Sequence, residues 1–388
     1  STVCCLPAWC SDSDTMISSS STADLLVPGL LLTVLSTLLL LMVLRDQAPC
    51  LRLLDNPGGR KQHAAPTPLV GGIAMAGALL LIWLLVPSAR PPAWVAVGFA
   101  ALLALGAVDD RKEISASSKF LIETFVVLLV CVGTGLALHS VGEILPGVNG
   151  TLGWLAIPVA VFGVLSVVNA VNMIDGVDGL AGSVLLVSFG ALSLAMWMVG
   201  DVRYPMALMP CAALVGFLML NLRLPGGRPA RVFMGDGGTL ALGYLLAVIA
   251  IMATQGVGKV PPMVAVWACA LPLLDGVTVI QLRARRGTGL TTPGTDHFHH
   301  LLKAMGASPF GVAATEAVIA AALAAWGLGL WRLGVPEWIS FLSFALLAIG
   351  VRIFTDRAWT RIERDKANRA VLAPSVGLDE QTRQSSQG

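Results

Sequence analysis

Carboxylates and imidazoles recur at a few places in this sequence. Asp109 and Asp110 are adjacent and are followed by Arg111 and Lys112. Asp175 and Asp178 lie in NAVNMIDGVDGLAG beside Asn169 and Asn172, and Asp236 lies in VFMGDGGT. Three of the five histidines, His297, His299 and His300, fall within DHFHH. Arg283, Arg285 and Arg286 precede them, and Arg60, Lys61 and His63 form an earlier basic stretch. This mixture suits metal-assisted transfer at phosphorus. Carboxylates are the hard oxygen ligands that Mg²⁺ takes, the ion bridges phosphate oxygens, and phosphoryl transfer otherwise needs positioning and positive charge. The glycines of DGVDGLAG and MGDGG let backbone approach a ligand and present N–H groups at helix starts.

Taken singly, each feature has a plainer reading. Asp109–Asp110 reads equally as a solvated helix end beside Arg111, Asp236 as a helix N-cap, and the histidines as surface residues. Asp275 lies within an apolar run, where acids are functional by default, although backbone near Gly276 could satisfy it. The constellation carries the chemistry, not any single member.

The elements that must position these residues are membrane helices. Of 388 residues, 56% are hydrophobic and 12% charged, about half the charge of a soluble domain. Such a chain covers a lipid-facing surface and not a watery one. Apolar runs over 25–44, 68–86, 93–108, 119–138, 153–170, 180–199, 206–221, 236–254, 262–282, 311–331 and 337–354 predict an all-α polytopic protein of about eleven transmembrane helices. All but four of the 25 lysines and arginines (Arg90, Arg203, Lys259 and Arg332) fall on alternate loops or on the C-terminal tail. That asymmetry predicts the N-terminus outside and the C-terminus cytoplasmic, with the acids and histidines on the cytoplasmic side. The net charge of +2 does not suggest nucleic acid. No cysteine pair has zinc-ligand spacing, and no internal repeat points to a transporter of repeated halves.

Three regions follow: a non-conforming polar segment over 1–24, a transmembrane domain over 25–354 with its site on cytoplasmic loops, and a tail over 355–388. The Ser- and Cys-rich stretch before Met16 reads as an upstream extension, with Met16 the natural start. The tail opens on DRAWTRIERDKANR, which predicts a short helix on the inner surface before a disordered end.

Six segments in order, DNPGGRKQHAAPTPLVGGI (55–73), VDDRKEIS (108–115), NAVNMIDGVDGLAG (169–182), VFMGDGGTLALGY (232–244), LPLLDG (271–276) and DHFHHLL (296–302), resemble the polyprenyl-phosphate N-acetylhexosamine-1-phosphate transferase superfamily, glycosyltransferase family 4. The resemblance is to its bacterial WecA/TagO-like branch, with MraY more distant, and covers roughly 50–330. It implies that Asp109, Asp110, Asp175, Asp178 and His297 are catalytic, and that Asn172, Arg283, His299, His300 and Lys61 bind substrate. Asp236, with Asp109, would hold Mg²⁺, Mn²⁺ substituting. The implied reaction passes N-acetylglucosamine 1-phosphate from a UDP-sugar to undecaprenyl phosphate in the bacterial inner membrane, releasing UMP and starting a cell-envelope polysaccharide. A homodimer is a further implication.

Two departures stand out. Gly294 and Thr295 occupy places where an acid and a base are usual, and Gly235-Asp236-Gly237-Gly238-Thr239 replaces Gly-Asp-x-Gly-Ser. Met173-Ile174, in place of the Leu-Thr of MraY, favours an N-acetylhexosamine donor. The competing readings are a modified UDP-N-acetylhexosamine donor, an ion-coupled transporter, and a non-catalytic scaffold.

Overall fold

A computed structural model describes residues 19–56, 66–255, 259–287 and 296–385. The segments carrying Arg60, Lys61 and His63, and Gly294 with Thr295, lie outside the described residues, as do 1–18. The helices are α1 (Ser19–Leu51), α2 (Gly71–Leu85), α3 (Ala93–Asp109), α4 (Ala116–Thr134), α5 (Ala156–Ile174), α6 (Leu180–Met198), α7 (Pro205–Asn221), α8 (Gly235–Gln255), α9 (Pro262–Ala268), α10 (Ala270–Arg286), α11 (Phe298–Ala304), α12 (Pro309–Arg332) and α13 (Glu337–Ser385).

Each of the eleven apolar runs coincides with a helix or a helix pair. Seven of these helices, α1, α4, α5, α6, α8, α12 and α13, are long and apolar enough to cross a membrane, and the α9–α10 pair makes an eighth candidate. Helices α2, α3 and α7 are apolar but shorter, at 15, 17 and 17 residues. At 1.5 Å per residue they reach only about 22–26 Å, short of a hydrocarbon core of about 30 Å.

The run 262–282 is not one straight helix. It breaks at Cys269, and the two halves meet at 75°. Pro272 is the cause: its ring collides with the carbonyl four residues back, that of Ala268, and it has no N–H to offer there. Pro158, in contrast, sits in the first turn of α5, where no N–H is needed, and the helix runs on. Two small antiparallel hairpins interrupt the all-helical expectation. The first, β1 (Leu54–Asp55) with β2 (Thr67–Pro68), precedes α2; the second, β3 (Ser140–Leu145) with β4 (Val148–Thr151), turns at Gly147, whose φ is +71°. Past residue 354 the last helix does not stop, but continues to Ser385. The tail opens on a stretch rich in Arg and Ala, good helix formers, and Asp356 ties it to Arg285 at 2.9 Å.

Helix α8 is the axis of the molecule. Its whole apolar window is buried, as befits a helix hydrophobic all round. It packs on α2, α3 and α5. Glycines set how close they come: a Cβ on Gly72 would run into Gly238 Cα, and one on Gly106 into the backbone of Asp236 and Gly237. The chain before α8 is held to the same elements, with Phe233 N–H donating to Pro68 O at 2.8 Å and Gly72 N–H to Met234 O at 2.9 Å. The first turn of α8 is thereby pinned between the start of α2 and the end of α3.

Candidate active site

The end of α3, the start of α4, the end of α5 and the start of α8 converge on one cluster. Asp109 closes α3. Its Oδ1 accepts Ile114 N–H at 2.7 Å, tightening the turn into α4, and its Oδ2 is 2.9 Å from Lys119 Nζ. The same ammonium is 2.5 Å from Asp236 Oδ2. Asn172, near the end of α5, donates to Asp236 Oδ1 at 3.1 Å and to Thr239 Oγ1 at 2.8 Å. Thr239 thus keeps the hydroxyl that replaces the usual serine in contact with the cluster.

Asp110 does something different from its neighbour. Its carboxylate accepts the N–H groups of Asp236 at 2.9 Å and Gly237 at 3.3 Å, so it caps the N-terminus of α8 from another helix. Burial pushes its carboxyl up to about 7, and the neighbouring Asp236 and Asp109 carboxylates push the same way against those two hydrogen bonds.

Asp175 follows α5 directly. Solvent reaches its side chain, yet protein surrounds it on all sides at longer range, the situation of a carboxylate on the floor of a cleft. Burial, then the charges of Asp236, Asp110 and Asp178, raise it to about 7. Asp178 instead accepts Ala230 N–H at 3.2 Å and so braces the loop leading to α8. Asn221 braces the same loop, donating to Val232 O at 2.9 Å and accepting Gly179 N–H at 2.8 Å.

The histidines join this cleft from the other side. A Cβ on Gly176 would meet His299 Nε2, so the DGVDG loop and α11 are in contact. Rings 299 and 300 lie 4.2 Å apart between centroids, and 297 and 299 stack at 5.4 Å. Burial, then the neighbouring histidines, lowers His299 to about 2 and His300 to about 4, so both rings stay neutral at neutral pH. His297 Nδ1 is 2.7 Å from Asp275 Oδ2, and Asp275 Oδ1 accepts Phe298 N–H at 2.8 Å. Arg283 is buried, with Nε 3.8 Å from Asp296 Oδ2.

Sequence reasoning placed Asp109, Asp110, Asp175, Asp178, Asp236, Asn172, Arg283 and the three histidines on loops of one face, and the contacts above join them into two adjoining groups. Lys61 lies outside the described residues. Three further residues carry no motif of their own. The sequence signal for Lys119 is its place in the first turn of an apolar helix, where a lysine opposes the helix dipole. Glu123, one turn further along α4, is fully buried and accepts from Asn169 Nδ2 at 2.9 Å. Glu316 of α12 is buried near Asp275, and its Oε1 has no hydrogen-bond partner among the described residues. Both acids stand within candidate spans, so Asp275 is not alone in that respect.

Among the described residues no three His, Cys, Asp or Glu side chains are spaced as a closed metal set. The donors nonetheless suit Mg²⁺, which is held by one or two carboxylates and completed by waters and substrate phosphates. Asp109 and Asp236 already converge on one cationic centre, the Lys119 ammonium. Asp110 and Asp175 lie close by, and burial first, then the neighbouring carboxylates, raises the proton affinity of both.

The profile of glycosyl transferase family 4 matches residues 93–254, the stretch from α3 through α8. The undecaprenyl-phosphate alpha-N-acetylglucosaminyl 1-phosphate transferase of Haemophilus influenzae is 34% identical over 87% of this chain and 95% of its own length. The proteins of the same name from Escherichia coli K12 and Yersinia pestis are 33% and 32% identical, over 84% and 82% of this chain and 89% and 88% of theirs. With similarity of that extent across the helices that build the cluster, the chain belongs to glycosyl transferase family 4.

Proposed function

We propose that this chain transfers N-acetylglucosamine 1-phosphate from UDP-N-acetylglucosamine to undecaprenyl phosphate, releasing UMP. The observation that carries the reading is the convergence of Asp109 and Asp236 on one cationic centre, with Asn172 and Asp110 holding Asp236, at the ends of apolar helices. The relatives' shared name supplies the substrates. The charge asymmetry of the loops supports a cytoplasmic site with the N-terminus outside, in a bacterial inner membrane.

Asp236 and Asp109 would hold Mg²⁺, with Mn²⁺ able to replace it. Bound there, the ion would neutralise the donor's pyrophosphate oxygens and sharpen the electrophilicity of phosphorus. Asp110 acts through Asp236, fixing the first turn of α8 that aims it. Asp175 and Asp178, with Asn172, shape the uridine side of the cleft, and Arg283 with the histidines faces the pyrophosphate. Lys61 adds positive charge for the phosphates. The lipid phosphate is mostly dianionic at neutral pH, its second pKa lying at about 6. Its oxygen therefore needs no general base. That oxygen attacks the β-phosphorus, a new P–O bond forms, and the bond to the bridging oxygen breaks with its electron pair leaving on UMP. Positioning and charge account for the acceleration.

Ion-coupled transport finds no support in the relatives, and the clustered carboxylates Asp109, Asp175 and Asp236 sit at helix ends and not at mid-span. The donor is tested by offering the purified protein undecaprenyl phosphate and a panel of UDP-N-acetylhexosamines, with mass spectrometry of the lipid product. A lipid pyrophosphate bearing N-acetylglucosamine is expected. Product from a modified sugar alone would replace the donor, and no lipid product from any donor would sink the reaction.

A further inference from the structure

Asp275 is an expensive residue to keep. It lies in the α9–α10 pair, a candidate span, and only 6% of its side chain is exposed. A buried carboxylate in such a segment is costly unless it is hydrogen-bonded and used. Both oxygens are engaged with one short stretch of chain: Oδ2 with the His297 ring and Oδ1 with Phe298 N–H, the first residue of α11. Capping alone needs only a neutral acceptor such as Ser or Asn. The negative charge has its partner in the imidazole.

The break at Cys269 is what brings Asp275 there, because α10 leaves it at 75° to α9. Eight residues on, and so on the same face of α10, Arg283 meets Asp296. One helix face thus grips the chain at 296–298 from two points. An ionised carboxylate only accepts, so His297 Nδ1 carries the hydrogen and Nε2 is left as the ring atom able to meet a substrate. The other histidines lack this arrangement. His299 packs its Nε2 side against Gly176 and buries Nδ1 without a hydrogen-bond partner among the described residues, and His300 lies against it.

We infer that Asp275 is a positioning residue for the transfer step, acting through His297: it holds the ring plane and the Nδ1–H, and its charge lets Nε2 carry a second hydrogen, so that Nε2–H donates to an oxygen of the donor's pyrophosphate. This rests on the reaction proposed above. It separates the three histidines into one that touches phosphate and two that shape the cleft wall. The scale of such an effect is that of one lost donor to transition-state charge, about 10²–10³-fold in kcat.

The test uses Asp275→Asn, His297→Ala and the double variant in the full chain, with steady-state kinetics and ¹⁵N-histidine NMR. Asparagine keeps an oxygen for Phe298 N–H but turns an N–H toward Nδ1, which must then accept, so the ring can no longer carry hydrogens on both nitrogens. Expected are a kcat loss of at least about 10²-fold in D275N, KM values for both substrates within about threefold, and a double variant no worse than H297A, since residues acting as one unit are not additive. The wild-type spectrum should contain one ring protonated at Nδ1 that disappears in H297A. D275N turning over like wild type, losses that multiply in the double variant, or a wild-type His297 protonated at Nε2 alone would each overturn the inference. No UMP from the wild type with any donor would instead remove the reaction, and the ring signals would then judge the pairing by themselves.

Discussion

Replacing Gly106 by alanine tests whether the packing of α3 against α8 sets the site. The added Cβ would run into the carbonyl carbon of Asp236 and the nitrogen of Gly237. Both are backbone atoms, so no side-chain rotation relieves the clash. Ordinary contact lies at 3.4–4 Å, and the two helices must part by about 1 Å to reach it, at a cost of about 1–3 kcal/mol. The residue displaced is Asp236 itself, whose carboxylate is held by Lys119 and by Asn172 at 3.1 Å. A misplacement of about 1 Å costs a catalytic centre about 100-fold in rate, equivalent to about 2.7 kcal/mol of barrier. The control is Gly163→Ala on α5, where a Cβ would meet nothing within 4 Å and a helix gains up to about 1 kcal/mol. UMP release at saturating substrates and thermal unfolding in detergent read both variants. G106A is expected to fold, unfold at a lower Tm and lose about two orders of magnitude in kcat, while G163A matches or exceeds the wild type in both. G106A with wild-type Tm and turnover would refute the packing argument.

Removing the ammonium by Lys119→Met leaves Asp109 and Asp236 facing each other without their shared partner. A loss of about 3 kcal/mol or more is expected for breaking a largely buried pair, with Lys119→Arg keeping most of it; equal Tm values for wild type and K119M would contradict this. His299 gives a pH signature. Its folded proton affinity is depressed to about 2 from 6.5, so below pH 6.5 the unfolded state binds a proton that the native state does not. Stability should therefore fall on acidification through the range from 6.5 toward 4, by about 1.4 kcal/mol per pH unit from this ring. His299→Gln should flatten the slope of unfolding free energy against pH, and an unchanged slope would count against the burial assigned to this ring.

Much of the architecture was legible because membrane burial leaves a crude signal. A run such as 236–254 is apolar on every side, and α8 is buried on every side. What the runs could not convey is how far each helix crosses. Helices α2, α3 and α7 have the composition of spans without the length. The break at Cys269 was written in Pro272, but hydropathy is blind to direction, and a proline in an apolar run reads as a kink as readily as a corner. The hairpin at Gly147 carried a Pro-Gly turn signal that the surrounding apolar helices overshadowed.

The site was legible in its members and less so in their partnerships. Asp109 and Asp110 are neighbours in sequence, yet one points to Lys119 and the other caps α8. Lys119 lies ten residues from Asp109 and 117 from Asp236, and only the turn from α3 into α4 brings the three together. Asp275 and His297, 22 residues apart, meet because α10 is redirected. Residue types announce hard-ligand phosphate chemistry; which carboxylate holds charge and which holds backbone is decided by packing.

The most direct test of the central claim is UMP release by purified protein with undecaprenyl phosphate, UDP-N-acetylglucosamine and Mg²⁺, repeated with EDTA and with Asp236→Ala. Lipid-dependent UMP is expected that vanishes with chelation, returns with Mg²⁺ or Mn²⁺, and is lost in D236A although that protein still folds. Turnover by folded D236A at the wild-type rate, or undiminished by EDTA, would contradict it.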